Sequence, residues 1–183
     1  MPKETFKGKC SLELGAGAGI CGLFFNMHFT DINDILLTDG NDVVMELLQQ
    51  NVKRISEQNN ISHLKAMKLD WTNLQQLDSI SKLYPNGIDL IFGSDICLWE
   101  NAYTGMITVI STLMKHSNAQ FILCYQSRSL RRERNLMKLL EEACFNVTLI
   151  EKRYLPNSQD EILLLRITRR TKENGNEHKQ ELL

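Results

Sequence analysis

Glu13, Asp39 and Asp70 each close a short apolar run, and the first is followed by a glycine-rich segment, Gly15-Ala16-Gly17-Ala18-Gly19-Ile20-Cys21-Gly22. Residues of these types in this order can do binding chemistry. Gly15, Gly17 and Gly19 lack a Cβ, so the chain turns tightly there and a ligand can approach the backbone closely. The helix expected at about Ile20 to Met27 aims its first N–H groups at the same place. A nucleotide-like ligand suits such a corner. The spacing Gly17-x-Gly19-x-x-Gly22 also satisfies the dinucleotide fingerprint, so the glycines alone leave the ligand open.

The acids narrow the choice. Asp39 ends the run Leu36-Leu37-Thr38, about 20 residues after the glycines, where a carboxylate accepts hydrogen bonds from both ribose hydroxyls. That suits NAD or an adenosyl cofactor, and the same residue can instead cap a helix opening at Asp42. Glu13 lies immediately before the glycine turn. A carboxylate facing that corner repels a pyrophosphate and suits the cationic end of S-adenosylmethionine, with its ammonium and sulfonium groups. The bland alternative is a solvated glutamate. Asp70 and Trp71 close a third apolar run, where a carboxylate accepts from the adenine amine and an aromatic wall holds the ring. Trp71 can also be ordinary core. Three acids at the ends of three successive strands line one crevice, where open α/β sheets place their ligands. The set favours S-adenosylmethionine over NAD.

The elements that must hold these residues alternate along the chain. Apolar runs at about Ser11–Leu14, Ile35–Thr38, Lys65–Leu69, Ile88–Gly93 and Gln120–Tyr125 read as strands. Between them, Val43, Val44, Leu47, Leu48 and Val52 repeat with helical spacing, as do Met106, Ile107, Ile110, Leu113 and Met114. Leu136, Leu139 and Leu140 do the same in a helix expected at about Arg131–Ala143. The β-α-β-α order predicts an α/β fold, a mostly parallel sheet with helices on both faces. The last two runs, Asn146–Arg153 and Glu161–Thr168, are too close for a crossover helix and are expected to pair as an antiparallel hairpin. Residues 1–168 thus read as one domain, and the polar stretch 169–183 as a disordered tail.

Composition sets further bounds. The chain has 183 residues, 43% hydrophobic and 23% charged, with a formal net charge of −1. That balance gives no bulk attraction to nucleic acid or to an anionic membrane. No apolar run reaches the roughly 20 residues that span a bilayer. Met1-Pro2-Lys3-Glu4 lacks the apolar core of a secretory signal. Cys10, Cys21, Cys97, Cys124 and Cys144 form no C-x-x-C and read as free, buried thiols in a reducing compartment, the cytoplasm or nucleus. The histidines show no ligand spacing, and no metal site is expected. The cluster Arg128, Arg131, Arg132 and Arg134 reads as a solvated helix face, with an acidic partner surface or RNA as the alternative. No serine, cysteine or histidine nucleophile is arranged for covalent catalysis.

The corner E-L-G-A-G-A-G-I-C-G, the L-T-D of the second strand, Leu69-Asp70-Trp71 and the run Asp89-Leu90-Ile91-Phe92-Gly93-Ser94-Asp95-Ile96 resemble the seven-strand, Rossmann-like methyltransferases. More narrowly, they resemble the methyltransferase-like subgroup of protein-lysine methyltransferases (family 16 type). The resemblance covers about residues 10 to 168 and implies a three-layer sandwich with strand order 3-2-1-4-5-7-6 and an antiparallel last strand. It implies S-adenosyl-L-methionine as cofactor, held by Glu13, Gly15, Gly17, Gly19, Asp39, Asp70, Trp71 and Ser94. It implies a protein lysine as acceptor, oriented by Asp95 beside the aromatic wall of Trp99. A monomer is expected, with no membrane and no nucleic-acid partner. Two departures stand out. The subgroup's acid begins a D-x-x-Y pattern, whereas here the fourth position is Leu98 and the aromatic residue, Trp99, comes one later. About ten residues precede the first strand, where members carry a segment that helps cover the cofactor. The same fold acting on arginine, nucleic acid or a small molecule, or a shortened non-catalytic form, remains open. For Asp95 itself, an N-cap of the next helix is the alternative.

Overall fold

Seven strands join in one sheet in the computed structural model, which describes residues 8–29, 32–154 and 161–170. The first half runs β1 (Cys10–Leu14), α1 (Ile20–His28), β2 (Asp34–Asp39), α2 (Asp42–Asn59), β3 (Leu64–Lys68) and α3 (Leu74–Leu83). The second runs β4 (Leu90–Ser94), α4 (Tyr103–Leu113), β5 (Gln120–Ser127), α5 (Leu130–Glu142), β6 (Phe145–Tyr154) and β7 (Glu161–Arg169). The strand order is β3-β2-β1-β4-β5-β7-β6. β1 to β5 pair in parallel, and β7 runs antiparallel to both β5 and β6. The expected order and hairpin are therefore present; the connection at 155–160 lies outside the described residues.

Local chemistry starts and stops the helices where the sheet needs them. Asn41 accepts from the N–H groups of Val43 and Val44 at the head of α2, and Asn73 accepts from Gln75 and Gln76 at the head of α3. Both satisfy donors that an α-helix leaves unpaired in its first turn. Asn60 ends α2 in the left-handed conformation, φ 53°, which asparagine tolerates better than most residues.

Strand alternation sorts side chains into two cores. Leu12, Leu14 and Leu36 pack with Leu77, Met106 and Leu136 on the face of α3, α4 and α5. Ile35 and Leu37 pack with Met45, Leu48 and Leu23 on the face of α1 and α2. Leu14 lies level with Thr38 on one side and Gly93 on the other, so the carboxyl ends of β2, β1 and β4 form one rim. Successive connections leave β1 toward β2 and β3, then restart at β4 on its other side. The rim between β1 and β4 is thus the switch point of the sheet, the usual ligand crevice of such folds.

Two boundary differences move residues of interest. β3 ends at Lys68, so Asp70 and Trp71 stand just past the strand in the loop to α3. Arg169, read as the start of the tail, completes β7 instead. Its guanidinium stacks over the Phe145 ring, 5.4 Å from the centroid, and donates to the Ser111 and Met114 carbonyls at the end of α4. A cation on orphaned helix carbonyls is favourable both as a hydrogen bond and against the helix dipole. Residues 171–183, the rest of the expected tail, lie outside the described residues. Arg169→Ala should lower the unfolding free energy by about 1–3 kcal/mol, read as a shift in the urea midpoint. An unchanged midpoint would mean that water serves those carbonyls equally well.

Candidate functional site

Because Leu12 and Leu14 belong to the core under α3–α5, Glu13 must point to the opposite face, under α1. There it is only 2% exposed. Its Oε2 accepts from the Gly22 N–H at 3.0 Å, and the Cys21 thiol also bonds to the carboxyl. Gly22 is what makes room. A Cβ at that position would stand 2.4 Å from Glu13 Oε2 and 2.2 Å from Leu37 Cδ2. A solvated Glu13 is therefore ruled out. A cavity of about 350 Å³ opens beside it, lined by Glu13, Gly15, Cys21 and Ser94 and by the apolar Ile20 and Phe24.

Burial pushes the Glu13 carboxyl up to about 7, against the lowering effect of its Gly22 and Cys21 bonds, and the Asp39 charge raises it further. The Cys21 thiol goes up to about 11, first through burial and then through the neighbouring Glu13 charge. A carboxyl held this close to neutrality gains most when a cation enters the cavity and favours its ionised form.

Asp39 binds the glycine turn itself. Its Oδ2 accepts from Gly17 N–H and its Oδ1 from Asn41 N–H, each at 3.0 Å. The cap of α2 is Asn41, so Asp39 is not the cap that the bland reading assigned. Gly17 has φ 57°, and a Cβ there would meet nothing within 4 Å. The left-handed backbone favours glycine at this point, and the space above it is open. Gly19, the N-cap of α1, instead faces the core, where a Cβ would stand 2.7 Å from Leu48 Cδ1.

A second cavity, about 180 Å³, is lined by Gly40, Leu69, Asp70, Trp71, Thr72 and Ala102. Asp70 Oδ1 accepts from the Thr72 N–H and hydroxyl, at 2.9 and 2.7 Å. Those bonds hold its carboxyl below the usual range. Trp71 is half-buried, packed on the core, and Gly105 of α4 lies close against its backbone. Its Cζ2 also lies 3.9 Å from where a Gly15 Cβ would be. The two cavities thus flank the glycine turn.

Asp95 and Trp99 line neither cavity. They sit in the loop 95–102 between β4 and α4. Asp95 has φ 55°, and its carboxylate is gripped by Arg128 at both oxygens, 2.6 and 2.8 Å. It caps no helix: a short 3₁₀ turn, Glu100–Ala102, leads into α4. Arg131 pairs with Glu100 at 2.7 Å, and Arg132 donates to the Leu98 carbonyl at 3.3 Å. The arginine cluster is therefore not a merely solvated face. Trp99 is 68% exposed at the rim. Tyr125 is buried. Ile96 wedges into the space that Gly15 and Gly93 leave, since Cβ atoms there would lie 2.7 and 2.6 Å from its side chain. Gly22, Ile96 and Arg128 are thus structural members of the site that the sequence reading did not assign to it. Gly22 alone had a signal, as the third glycine of the fingerprint.

Among the described residues no group of His, Cys, Asp and Glu is arranged to hold a metal ion, and no helix is long and apolar enough to cross a membrane.

Residues 1–143 match the profile of a family described as lysine methyltransferase. The chain is 30% identical over 139 residues to calmodulin-lysine N-methyltransferase of Arabidopsis thaliana, covering 76% of this chain and 43% of that protein. It is 30% identical over 140 residues to protein N-lysine methyltransferase METTL21A of Danio rerio, covering 76% of this chain and 59% of that one. It thus spans about half the length of these curated relatives. The fold matches magnesium protoporphyrin IX methyltransferase of Synechocystis, solved with bound SAM. That match has a TM-score of 0.65 and 14% identity, and covers 91% of this chain and 72% of that one.

The raised Glu13 carboxyl has a thermodynamic consequence in the ligand-free protein. Its folded-state value lies above the ordinary 4.5, so its contribution to stability is fully present below pH about 4.5 and is lost as pH rises through about 7. Glu13→Gln removes this dependence. Relative to the variant, the wild type should lose up to about 3 kcal/mol between pH 5 and 8, measured by urea unfolding across that range. Parallel pH profiles for the two proteins would mean that Glu13 ionises freely.

Proposed function

The chain belongs to the lysine methyltransferase family, and from that premise we propose that it methylates a lysine side chain of a protein, with S-adenosyl-L-methionine as donor. The observation that carries the proposal is the buried Glu13 carboxylate beside the glycine turn at the switch point of the sheet. It fits a cationic ligand group and repels a pyrophosphate. When bound, S-adenosylmethionine supplies a methyl group already activated by its sulfonium.

The residues of this chain bind and align. Glu13 offers a negative charge to the methionine end, and Ser94 and Gly15 line the same cavity. Asp39, with one lone pair of each oxygen already given to Gly17 and Asn41, keeps others for the ribose hydroxyls. Asp70 and Trp71 border the space suited to the adenine. A lysine acceptor reacts as the neutral amine, although its ordinary pKa is about 10.4. Apolar surroundings favour that neutral form. Asp95 orients the amine, and Trp99 forms a wall beside it, the cation–π contact serving the charged form on arrival. The offset of the aromatic residue from the third to the fourth position after the acid supports a second reading, the same transfer to another acceptor. The five cysteines are free, although Cys97 alone is buried as expected and Cys21 and Cys144 are exposed; free thiols support a reducing compartment, the cytoplasm or nucleus.

Incubating lysate with the protein and methyl-labelled cofactor, then mapping the label by mass spectrometry, separates the two readings. Label on lysine supports the first, and label on arginine, nucleic acid or small molecules supports the second. Asp39→Ala should abolish calorimetric binding of S-adenosylhomocysteine. Asp95→Ala should leave that binding intact and slow label transfer about 10- to 100-fold. Equal loss of binding in both variants would contradict the assigned roles.

A further inference from the structure

The loop 95–102 is held at three places. Ile96 fills the space over Gly15 and Gly93. From beneath, the Tyr103 hydroxyl donates to the Cys97 carbonyl at 3.3 Å. From outside, the opening of α5 reaches across: Arg131 pairs with Glu100, and Arg132 donates to the Leu98 carbonyl. These contacts secure the middle and far end of the loop. Asp95 sits at its near end, in a left-handed backbone conformation that side chains rarely adopt. Its N–H is tied to the Cys124 carbonyl at 2.9 Å. Its carboxylate is tied to Arg128, through two parallel bonds of 2.6 and 2.8 Å.

This geometry leaves the carboxylate usable. An ionised carboxylate has about four lone-pair sites, and the fork takes one on each oxygen. The Asp95 side chain is 50% exposed, so the remaining sites are open to an incoming donor. A two-point grip also fixes the plane of the carboxylate, which a single point charge does not.

We propose that Arg128 is a positioning residue for methyl transfer, holding the Asp95 carboxylate in the orientation that receives the acceptor amine. The proposal rests on the functional reading above, in which Asp95 orients that amine. Arg128 is not among the residues that line the donor cavity. It acts on the acceptor side, through Asp95, and its guanidinium plane is the required feature.

The test compares Arg128→Gln, Arg128→Lys, Asp95→Asn and the Asp95→Asn/Arg128→Gln double variant with the wild type. One readout is the initial rate of label incorporation into lysate protein at saturating cofactor. The other is calorimetric affinity for S-adenosylhomocysteine. Arg128→Gln should slow incorporation about 10- to 100-fold while leaving that affinity within about twofold. Arg128→Lys should remain at least about 10-fold slow, because an ammonium cannot reproduce the fork. The double variant should be no slower than Asp95→Asn alone, since the two residues act as one unit. Amide exchange over residues 95–100 should quicken in Arg128→Gln. Wild-type or faster transfer in Arg128→Gln, full rescue by lysine, or additive losses in the double variant would overturn the proposal. If Arg128→Gln does not fold, the lysine variant, which keeps the charge, decides alone. A wild type that labels nothing refutes the functional reading itself. A wild type that labels lysine beside an equally fast Arg128→Gln refutes only the role of Arg128.

Discussion

Burying a carboxylate at the end of a central strand is costly unless its oxygens find partners, and much of this site follows from how Glu13 finds them. The alternation of β1 commits Leu12 and Leu14 to one core and so commits Glu13 to the space under α1. Among the described residues the backbone that helps is the first turn of α1, and it can come this close because residue 22 has no side chain. The helix end contributes an N–H donor and the positive end of its dipole. The result is a carboxyl that is neither fully satisfied nor free, raised to about 7, beside a cavity with room for more. Such a group is poised to favour a cation over an anion, which separates this corner from a pyrophosphate site of similar glycine spacing.

The turn that shapes the cavity beside Glu13 is itself braced from the neighbouring strand. Asp39 reaches from β2 to the Gly17 N–H, so the loop is held before any ligand arrives. Preorganised donors and acceptors need little reordering on binding. The same carboxylate therefore has two uses, bracing the loop through some lone pairs and remaining open through others. This is why replacing it bears on the shape of the pocket as well as on a ligand contact.

Much of this was legible in the chain. Short apolar runs located the strands and period-3.6 patterns several helices, and the short gap before residue 161 implied the antiparallel pair. Glycines and strand-end acids marked the rim because each has a local reason to be there. Long-range partnerships were less legible. Arg128 and Asp95 are separated by 33 positions, and a basic cluster on an amphipathic helix looks like solvated surface until the facing loop is known. Arg169 looked like the start of a polar tail because its charge follows an apolar strand, yet it finds the end of α4, more than 50 residues away in sequence. Ile96 is an unremarkable aliphatic residue in sequence. Its importance lies in two glycines that are remote from one another along the chain.

Ile96 also couples the glycine turn to the loop 95–102. Its side chain fills the room left by Gly15, in the turn that lines the cavity beside Glu13, and by Gly93, on the strand leading to Asp95. A shift of the loop 95–102 therefore presses on the glycine turn, and a shift of the turn presses on the loop. Packed interiors transmit such displacements rather than absorb them. In-line transfer between two bound partners is sensitive to misplacement on the order of 1 Å. A direct side-chain contact between the two halves holds that alignment more tightly than hydrogen bonds at an exposed rim. The arginines of α5 then set the outer edge of a loop whose inner edge is already fixed by packing.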